Sequence, residues 1–570
     1  MSTHVLTTDG GIDPEWWKEA VVYQIYPRSF YDSDGDGVGD LRGIERRVDY
    51  LDDLGVDVVW LCPVYESPNE DNGYDISDYR SIMDEFGDVD DWARLRDALH
   101  ERDIRIIMDL VVNHTSDEHE WFQRSRRGEE PYDDYYIWRE GDPADPPNNW
   151  ESVFGGPAWS YDEEREAWYL HVFDEAQPDL NWRNPAVREE MVEMVRWWLD
   201  RGIDGFRMDA VTHISKTDGL PDGDEDERLV GGKHYSHGPR LREYLQQLHE
   251  EALVDYDVMN VAEMGMTTIE QAADYVGDDR TGLDMAFQFD HLSVDEGDEV
   301  FDPENFGEWS LPELKEILSE KQEKVPWDTL FFGNHDQPRA VSRYGDDGEH
   351  RRESATLLAT FLLTMRGTPY VYQGEEIGMT NVDFESLDEF DDPMTVGHAE
   401  ALVEKGLVDS VEEAMDVVNY RSRDNARTPM QWSDEANAGF TDGEPWIKVN
   451  DNYPEVNVEA ARADPDSVWH YYRELIDLRH ESDLLVYGDY DLLLPDHEQF
   501  YAYTRTLDDE RALVVLNWSD EEAMFDAGAP ADGPAVDTGD AAVAIANYDD
   551  PPTDPDGATF RPYEAAVYWL

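Results

Sequence analysis

Cysteine is almost absent from this chain. Among its 570 residues there is one cysteine, Cys62, so no disulfide bond can form within the chain. Cys62 ends the apolar run Val58–Cys62, where a small, inert core residue is the expected role for a thiol. The fold must therefore form without an intramolecular disulfide.

Basic residues are also scarce. The chain has 45 Lys and Arg against 133 Asp and Glu, which gives a formal net charge of −88. Such a charge repels phosphates, so nucleic acid is excluded as a default partner, and anionic membranes are disfavoured for the same reason. The acids are spread over the whole chain and not gathered in one block, which favours adaptation to high salt over a dedicated acidic binding segment.

We expect the protein to unfold or lose activity at low salt. Repulsion among the acidic residues destabilises the fold in dilute buffer, whereas molar salt shortens the Debye length to roughly 3 Å and screens that repulsion. Melting curves and activity measured with and without added sodium chloride test this expectation. Full activity and an unchanged melting curve in the absence of salt would contradict it.

Long apolar runs are missing as well. No segment reaches the roughly 20 apolar residues that a membrane-spanning helix needs. The first residues, Met1–His4, show no basic cluster followed by an apolar stretch. We therefore expect a soluble, cytoplasmic protein with no membrane partner, and nothing in the sequence indicates its oligomeric state.

Short apolar runs alternate with helical patterns through the first two-thirds of the chain. Val58–Leu61 is a predicted strand, and Val187, Met191 and Trp198 recur at the spacing of one helix face. Ser310–Glu313 has the pattern of a capping box and is predicted to open a later helix. Alternation of this kind predicts a parallel α/β architecture, and eight repeats favour a closed barrel.

The alternation breaks twice, which divides the chain into three predicted domains. Residues 115–184 are rich in Trp, Tyr, Pro and acids, and we predict that they form an inserted domain after the third strand. Residues 489–570 contain short strands and turns without helices, which predicts a small C-terminal all-β domain. The predicted fold is thus a (β/α)8 TIM barrel formed by residues 1–114 and 185–488, with these two additions.

Three acidic residues each end an apolar, strand-like run: Asp209, Glu263 and Asp336. Carboxylates are poor strand formers, so a buried strand that ends on one requires a reason. If the three strands are neighbours in a parallel barrel, their carboxylates meet at its C-terminal mouth, where barrel enzymes keep their active sites. Two carboxylates across a sugar ring are the groups that break a glycosidic bond, whereas the structural alternative for each acid is a cap or a salt bridge.

Sequence neighbours suggest different roles for two of these acids. Arg207 lies two residues before Asp209, so the two side chains point to the same face of a strand. An arginine favours the ionised carboxylate that a nucleophile requires. Glu263 has no basic residue nearby in sequence, so its pKa is expected to rise in apolar or anionic surroundings. We therefore assign Asp209 as the nucleophile and Glu263 as the acid/base.

A loop near the N-terminus has oxygen ligands at alternate positions. Residues Asp32–Asp40 resemble the first part of an EF-hand loop, but Gly43 stands where that motif has its final Glu. A bound hard cation and a solvated acidic turn both fit this pattern. From the residues alone, both interpretations stay open.

Together these segments resemble the α-amylase family of glycoside hydrolases, and within it the branch of the oligo-1,6-glucosidases and α-glucosidases. The resemblance extends from the first strand to the C-terminal β domain. It is carried by the motifs Val22–Phe30, Asp109–His114, Gln177–Asn181, Gly205–Asp209, Glu263, Asn334–Asp336 and Ser422–Trp432.

The resemblance implies retaining hydrolysis at a non-reducing terminal α-glucose. Asp209 would attack C1 while Glu263 protonates the leaving oxygen, and water activated by Glu263 would then release glucose. Asp336 would stabilise the transition state by holding the 2- and 3-hydroxyls, with His114 and His335 assisting. The substrates would be small oligosaccharides, with transglucosylation as a side reaction.

The resemblance also implies a set of binding residues and a metal. A salt bridge between Asp71 and Arg423 would close the glucose pocket. The other implied binding residues are Tyr74, His114, Phe154, Phe173, Gln177, Arg207, Ala210 and His335. The acidic loop matches a structural Ca2+ site, for which the implied ligands are the side chains of Asp32, Asp34, Asp36 and Asp40 and the carbonyl of Val38.

Linkage preference is expected to depend on Ala210, directly after the nucleophile. In the branch that this chain resembles, valine there accompanies α-1,6 cleavage and smaller residues accompany α-1,4 cleavage. The alanine favours maltose and short malto-oligosaccharides, with sucrose as a further candidate. The alternatives are an oligo-1,6-glucosidase, a trehalose or sucrose isomerase, and a trehalose-6-phosphate hydrolase, whose phosphate this acidic chain disfavours. A non-catalytic relative is disfavoured because all three acids are retained.

Overall fold

We describe the protein from a computed structural model that covers residues 14–277, 280–295, 306–527 and 536–570. The segment Met1–His4, considered above, lies outside these ranges. No helix among the described residues is long and apolar enough to cross a membrane. The described chain divides into two compact units, one formed by Trp60–Phe289 and the other by the parts of the chain before and after it.

Eight parallel strands form a nearly closed barrel, as predicted. In chain order they are β1 Val22–Ile25, β2 Val58–Leu61, β3 Arg105–Val111, β4 Gly205–Asp209, β5 Met259–Glu263, β6 Met285–Phe287, β7 Thr329–Leu330 and β8 Thr368–Tyr372. Their order in the sheet is β6-β5-β4-β3-β2-β1-β8-β7, so strands that are consecutive in sequence pair with each other. Every residue of β1, β2, β4 and β8 is buried, which explains their continuous apolar runs.

Helices separate most of the strands. In Pro185–Leu199, the predicted stripe Val187, Met191 and Trp198 is buried, and the side chain of Asn184 caps the first turn. The predicted capping box at Ser310 is wrong, because the helix begins at Leu311 but the Ser310 side chain caps no backbone N–H.

The α-helices in chain order are Trp16–Glu19, Leu41–Glu45, Val48–Leu54, Val89–His100, Glu120–Arg126, Pro185–Leu199, Gly232–Tyr235, Leu241–Leu248, Ile269–Val276, Leu311–Lys324, Ala340–Tyr344, Arg351–Thr364, Pro393–Glu404, Val411–Arg421, Asp424–Arg427, Val458–Ala463, Val468–His480 and Asp483–Tyr487. Pro393–Glu404 and Val411–Arg421 pack together around a small apolar core of their own.

Two smaller sheets lie outside the barrel strands. After β3, the strands Trp138–Arg139, Trp159–Asp162 and Ala167–Leu170 form an antiparallel sheet. At the C-terminus, five antiparallel strands pair in the order β9-β10-β11-β13-β12, where β9 is Asp489–Leu493, β10 Phe500–Leu507, β11 Glu510–Asn517, β12 Ala542–Ala546 and β13 Ala565–Trp569. Two short strand pairs complete the described set: Tyr65–Glu66 with Asp78–Ile82, and Ala523–Met524 with Thr559–Phe560.

Candidate functional site

Strand register brings the predicted nucleophile and acid/base together in the unit Trp60–Phe289. Arg207 on β4 lies opposite Asp109 on β3 and opposite Val261 on β5. Asp209 and Glu263 are the last residues of β4 and β5, as the sequence predicted. Asp109, Arg207 and Asp209 are buried and Glu263 is partly buried. The end of these three strands is therefore a concentrated group of charges.

One guanidinium holds all three carboxylates of this group. Nη1 of Arg207 donates to Oδ1 of Asp109 at 2.8 Å and forms a short ion pair with Oδ1 of Asp209. Nη2 of Arg207 lies 2.9 Å from Oε1 of Glu263. Glu263 therefore has a cationic neighbour that nearby sequence does not show, because Arg207 comes from the adjacent strand. Asp209 and Glu263 are held side by side on one cation.

Asp109 is a functional residue to which the sequence argument gave no role. Its Oδ2 accepts a hydrogen bond from Nε1 of Trp60 at 2.5 Å, and its Oδ1 accepts one from the Tyr74 hydroxyl at 3.2 Å. Asp109 thereby holds the guanidinium of Arg207 and the hydroxyl of Tyr74 in place. Its place inside the Asp109–His114 motif, at an alternate position of a strand, was the signal that could have identified it.

The ionisation of Asp209 differs from the sequence expectation. Burial, and then the charge of Glu263, raises the pKa of Asp209 well above its ordinary value, and Arg207 only partly offsets this. Arg207 therefore lowers the pKa of Asp209 by less than burial and Glu263 raise it.

The backbone after Asp209 also contacts Glu263. The N–H of Ala210 donates to Oε2 of Glu263 at 2.9 Å. Ala210 has a φ of 44°, in the left-handed region that side chains rarely adopt. The turn that places this N–H against Glu263 is therefore strained, which is common where the chain positions reacting groups.

The predicted glucose-binding residues of this unit form one hydrogen-bonded cluster. Nε2 of Gln177 donates to Oδ2 of Asp71 at 3.0 Å and lies 3.2 Å from Nε2 of His114. Nε2 of His114 is also 3.2 Å from the carbonyl oxygen of Tyr74. Burial lowers the pKa of His114 to about 4, so this imidazole is neutral at neutral pH. Because Tyr74 offers only an acceptor there, Nε2 carries the proton.

Aromatic rings extend this cluster. The ring of Phe173 lies 5.2 Å from the ring of His114 and 5.7 Å from that of Phe154. It also lies 5.5 Å from the ring of His213, a residue that the sequence argument did not select. His213 follows Asp209 in a short 3-10 turn, Val211–His213. The structure therefore brings together the site residues that were predicted within this unit. Ala210 lies beside Glu263.

The third predicted acid, Asp336, belongs to the other unit. It lies beyond the end of β7 at Leu330, so the expectation that Asp336 ends its strand is wrong. Its carboxylate contacts Nη2 of Arg427 at 2.8 Å, Nε2 of His335 at 3.1 Å and Nη1 of Arg423 at 3.3 Å. Although burial alone would raise the pKa of Asp336, His335 and Arg423 hold it well below its usual range. Asp336 is therefore an ionised carboxylate.

Arg423 has an ion-pair partner that the sequence did not reveal. Its Nη2 lies 2.6 Å from Oδ1 of Asp392, a fully buried acid that caps the helix Pro393–Glu404. Asp392 fixes the guanidinium that contacts Asp336. The predicted pairing of Arg423 with Asp71 joins residues of the two different units and stays a prediction.

The acidic loop folds into a compact turn. Carboxylate oxygens of Asp32, Asp34 and Asp40 lie within 4.8 Å of one another. Oδ1 of Asp36 instead accepts a hydrogen bond from the N–H of Val38 at 2.9 Å. Gly37 has a φ of 100°, and a Cβ there would collide with the carbonyl oxygen of Glu444. The three grouped carboxylates offer the hard oxygen donors that Ca2+ prefers.

Comparison with known proteins gives this geometry a context. Residues 24–488 match the family model described as alpha amylase, catalytic domain. The oligo-1,6-glucosidases of Parageobacillus thermoglucosidasius and Bacillus cereus are 52% and 50% identical over 97% and 98% of this chain, and over 98% and 100% of their own lengths. Among solved structures, Bacillus licheniformis trehalose-6-phosphate hydrolase matches with a TM-score of 0.91 at 46% identity. Isomaltulose synthase from Klebsiella sp. LX3 matches with a TM-score of 0.92 at 43% identity, and each match covers 98% of this chain and 100% of the other.

Proposed function

The chain belongs to the α-amylase family of glycoside hydrolases, and on that premise we propose that it is a retaining, exo-acting α-glucosidase. It releases α-glucose from the non-reducing end of short α-glucosides and transfers glucose to other sugars as a side reaction. The observation that carries the proposal is Arg207, which bonds Asp209 and Glu263 at once. Retaining enzymes keep their two carboxyl groups only about 5–5.5 Å apart, and a single bridging guanidinium favours that close spacing.

The proposed reaction has two steps. Asp209 attacks C1 as the bond to the leaving oxygen breaks, and Glu263 gives that oxygen its proton. Glu263 then takes a proton from water, which attacks C1 and releases Asp209 and α-glucose. The first step requires an ionised Asp209, which burial and the charge of Glu263 oppose and Arg207 favours.

Action at chain ends is supported by the cluster around His114. Gln177 donates to Asp71 and lies beside His114, so the polar atoms of these three residues lie close together. A terminal glucose offers hydroxyls that can bond this patch. We propose that Tyr74 stacks on the ring of this glucose.

Product analysis tests the proposal. The enzyme is incubated in roughly molar salt, enough to screen its charge, with maltose, isomaltose, sucrose and trehalose separately. Proton NMR then follows the products and the anomer first formed. Prompt α-glucose supports a retaining glucosidase, β-glucose as the first product contradicts retention, and rearranged disaccharide with little free glucose indicates an isomerase.

The preferred linkage has two candidates, each favoured by one observation. The small side chain of Ala210 beside Glu263 favours α-1,4 substrates such as maltose. The names of the relatives that are 52% and 50% identical favour α-1,6 substrates. A competition assay with equal concentrations of maltose and isomaltose distinguishes them, since the product ratio reports the ratio of kcat/KM directly.

Replacing Ala210 by Val is expected to raise the isomaltose-to-maltose ratio of kcat/KM by about tenfold or more, since one or two methyl groups in a substrate pocket change discrimination by roughly 1–3 kcal/mol. The absolute rates also fall, because Ala210 is left-handed and a β-branched residue is strained there. The ratio is therefore the measurement to use.

Ala210→Gly is the matched control for that substitution. It relieves the left-handed strain and removes the methyl group, so the ratio is expected to move towards maltose. Equal ratios in the wild type, Ala210→Val and Ala210→Gly would rule out Ala210 as the determinant of linkage.

We propose that the acidic loop binds a structural Ca2+ ion. The carboxylates of Asp32, Asp34 and Asp40 would hold it, with the Val38 carbonyl and Asp36 as further predicted ligands. When bound, the ion neutralises part of the repulsion among these acids. The ion takes no part in the reaction.

Removal of the metal is expected to lower the melting temperature without changing the product ratio. A ligand present at 100 times its Kd stabilises the native state by about 2.7 kcal/mol, and a chelator removes that contribution. The melting temperature is measured in EGTA and again after Ca2+ is restored. Asp32→Asn and Asp40→Asn should abolish the response, and a wild-type melting curve that ignores EGTA and added Ca2+ alike would contradict the site.

A further inference from the structure

A cavity in the unit Trp60–Phe289 lies apart from the carboxylates that Arg207 bonds. It has a volume of about 240 Å³ and is lined by residues from three segments and one helix. The segments are 134–139, 180–183 and 214–220, and Tyr244 completes the wall. Asp109, Arg207, Asp209 and Glu263 do not line it. The proposed reaction therefore leaves this cavity without a function.

Two arginines at the rim of the cavity set its charge. Arg183 donates to the carbonyl oxygen of Lys216 at 3.2 Å and pairs with Asp218 at the surface. Arg139 has one hydrogen bond, to the carbonyl oxygen of Trp138 at 2.7 Å, and no carboxylate partner among the described residues.

The positive charges of Arg139 and Arg183 also repel each other. Burial, and then the charge of Arg183, lowers the pKa of Arg139, while Asp134 opposes this shift. Burial raises the pKa of Asp134. An anion between Arg139 and Arg183 would reduce the repulsion between their two charges.

The inner end of the cavity offers neutral donors. The hydroxyl of Tyr244 has no hydrogen-bond partner among the described residues, and the Ser215 hydroxyl accepts from the N–H of Arg240 and still has its own hydrogen to donate. Lys216 is already satisfied, because its ammonium pairs with Asp179 and donates to Asn113 at 2.8 Å. Charge recognition is therefore concentrated at the rim, and hydroxyl recognition lies further inside.

We propose that this cavity is a binding site for a small phosphate-bearing ligand the size of a sugar phosphate. Arg139 and Arg183 bind the phosphate oxygens, since guanidinium groups match that geometry with paired donors. The remaining volume accommodates a hydroxylated group against Ser215 and Tyr244. The site is separate from the catalytic carboxylates and does not depend on the proposed linkage or mechanism.

Binding of inorganic phosphate and of glucose 6-phosphate, measured by calorimetry at constant ionic strength, tests the proposal. The variants are Arg139→Gln and Arg183→Gln. The matched control is Arg201→Gln, because Arg201 likewise bonds a local carbonyl, that of Trp197 at 3.0 Å, and lies outside the cavity. We expect both cavity variants to bind at least tenfold more weakly, with the control unchanged and hydrolysis of a neutral α-glucoside unchanged in all three.

Three outcomes would overturn the site. They are no saturable binding of either compound to the wild type, equal affinity in Arg139→Gln, and displacement of the bound phosphate by saturating glucose, which would locate it in the catalytic pocket. If glucose 6-phosphate binds more tightly than inorganic phosphate, the sugar contributes to binding inside the cavity. If the two affinities are equal, only the phosphate group is recognised. Melting curves of the variants confirm that each is folded.

Discussion

Replacing Asp209 by Asn should reduce kcat on every glucoside by at least about 10⁴-fold, the scale seen when a covalent nucleophile is removed. Asn keeps the size of the side chain and its contact with Arg207 but cannot form the glycosyl ester.

Glu263→Gln should behave differently. It loses the proton donor, so it is nearly inactive on maltose but retains the first step with a fluoride leaving group that needs no proton.

The contrast between the two variants is the informative result. Azide added to Glu263→Gln should give an α-glucosyl azide from the trapped intermediate, because azide attacks C1 without a general base. Asp200→Asn, which changes an exposed acid that bonds Tyr256, is the control and should keep wild-type kcat. Wild-type turnover in Asp209→Asn, or identical leaving-group dependence in both variants, would contradict the assigned roles.

Replacing Arg207 by Met is expected to abolish activity and to destabilise the protein by about 3–5 kcal/mol, because removing one partner of a buried ion pair leaves uncompensated charge. Here the loss affects the acids Asp109, Asp209 and Glu263 together. The pKa of Asp209, already raised, rises further without Arg207. A carboxylate with a raised pKa in the folded state favours the native state at low pH and loses that contribution as pH rises through the folded value.

The stability deficit of Arg207→Met should therefore be smaller at pH 5 than at pH 8, as measured by denaturant unfolding in molar salt. Adding Asp109→Asn to this variant removes one buried charge and should recover stability but not activity. Arg201→Met, which removes an arginine that packs on the Trp197 ring, is the control. A deficit that is independent of pH would show that Arg207 acts by packing rather than by charge.

The barrel could be predicted because most of its strands are short, buried and largely apolar, and helices separate them in the sequence. The strands β9 and β12 are harder to predict because most residues of Asp489–Leu493 and Ala542–Ala546 are only partly buried or exposed. Ser310 shows the limit of local patterns, since its capping box is complete in sequence and unused in the structure. Local sequence thus predicts where elements lie better than how their ends are capped.

The candidate site shows the same division. Asp209, Glu263 and Arg207 could be selected from strand-end chemistry, because their positions follow from single strands. The ion pair between Arg207 and Glu263 and the one between Arg423 and Asp392 could not, because each joins residues brought together only by folding. The raised pKa of Asp209 follows from its burial next to Glu263, which sequence spacing does not reveal.

Because Arg207 bonds Asp109, Asp209 and Glu263 together, enzyme activity should report whether the strands that carry them have paired correctly. Arg207 reaches Asp109 and Glu263 only when β4 is aligned with β3 and β5 in one register. A shift of one residue would turn the guanidinium to the opposite face of the sheet. Activity recovered during refolding therefore marks the moment at which these strands have paired correctly, and compact intermediates with misaligned strands are silent in the assay.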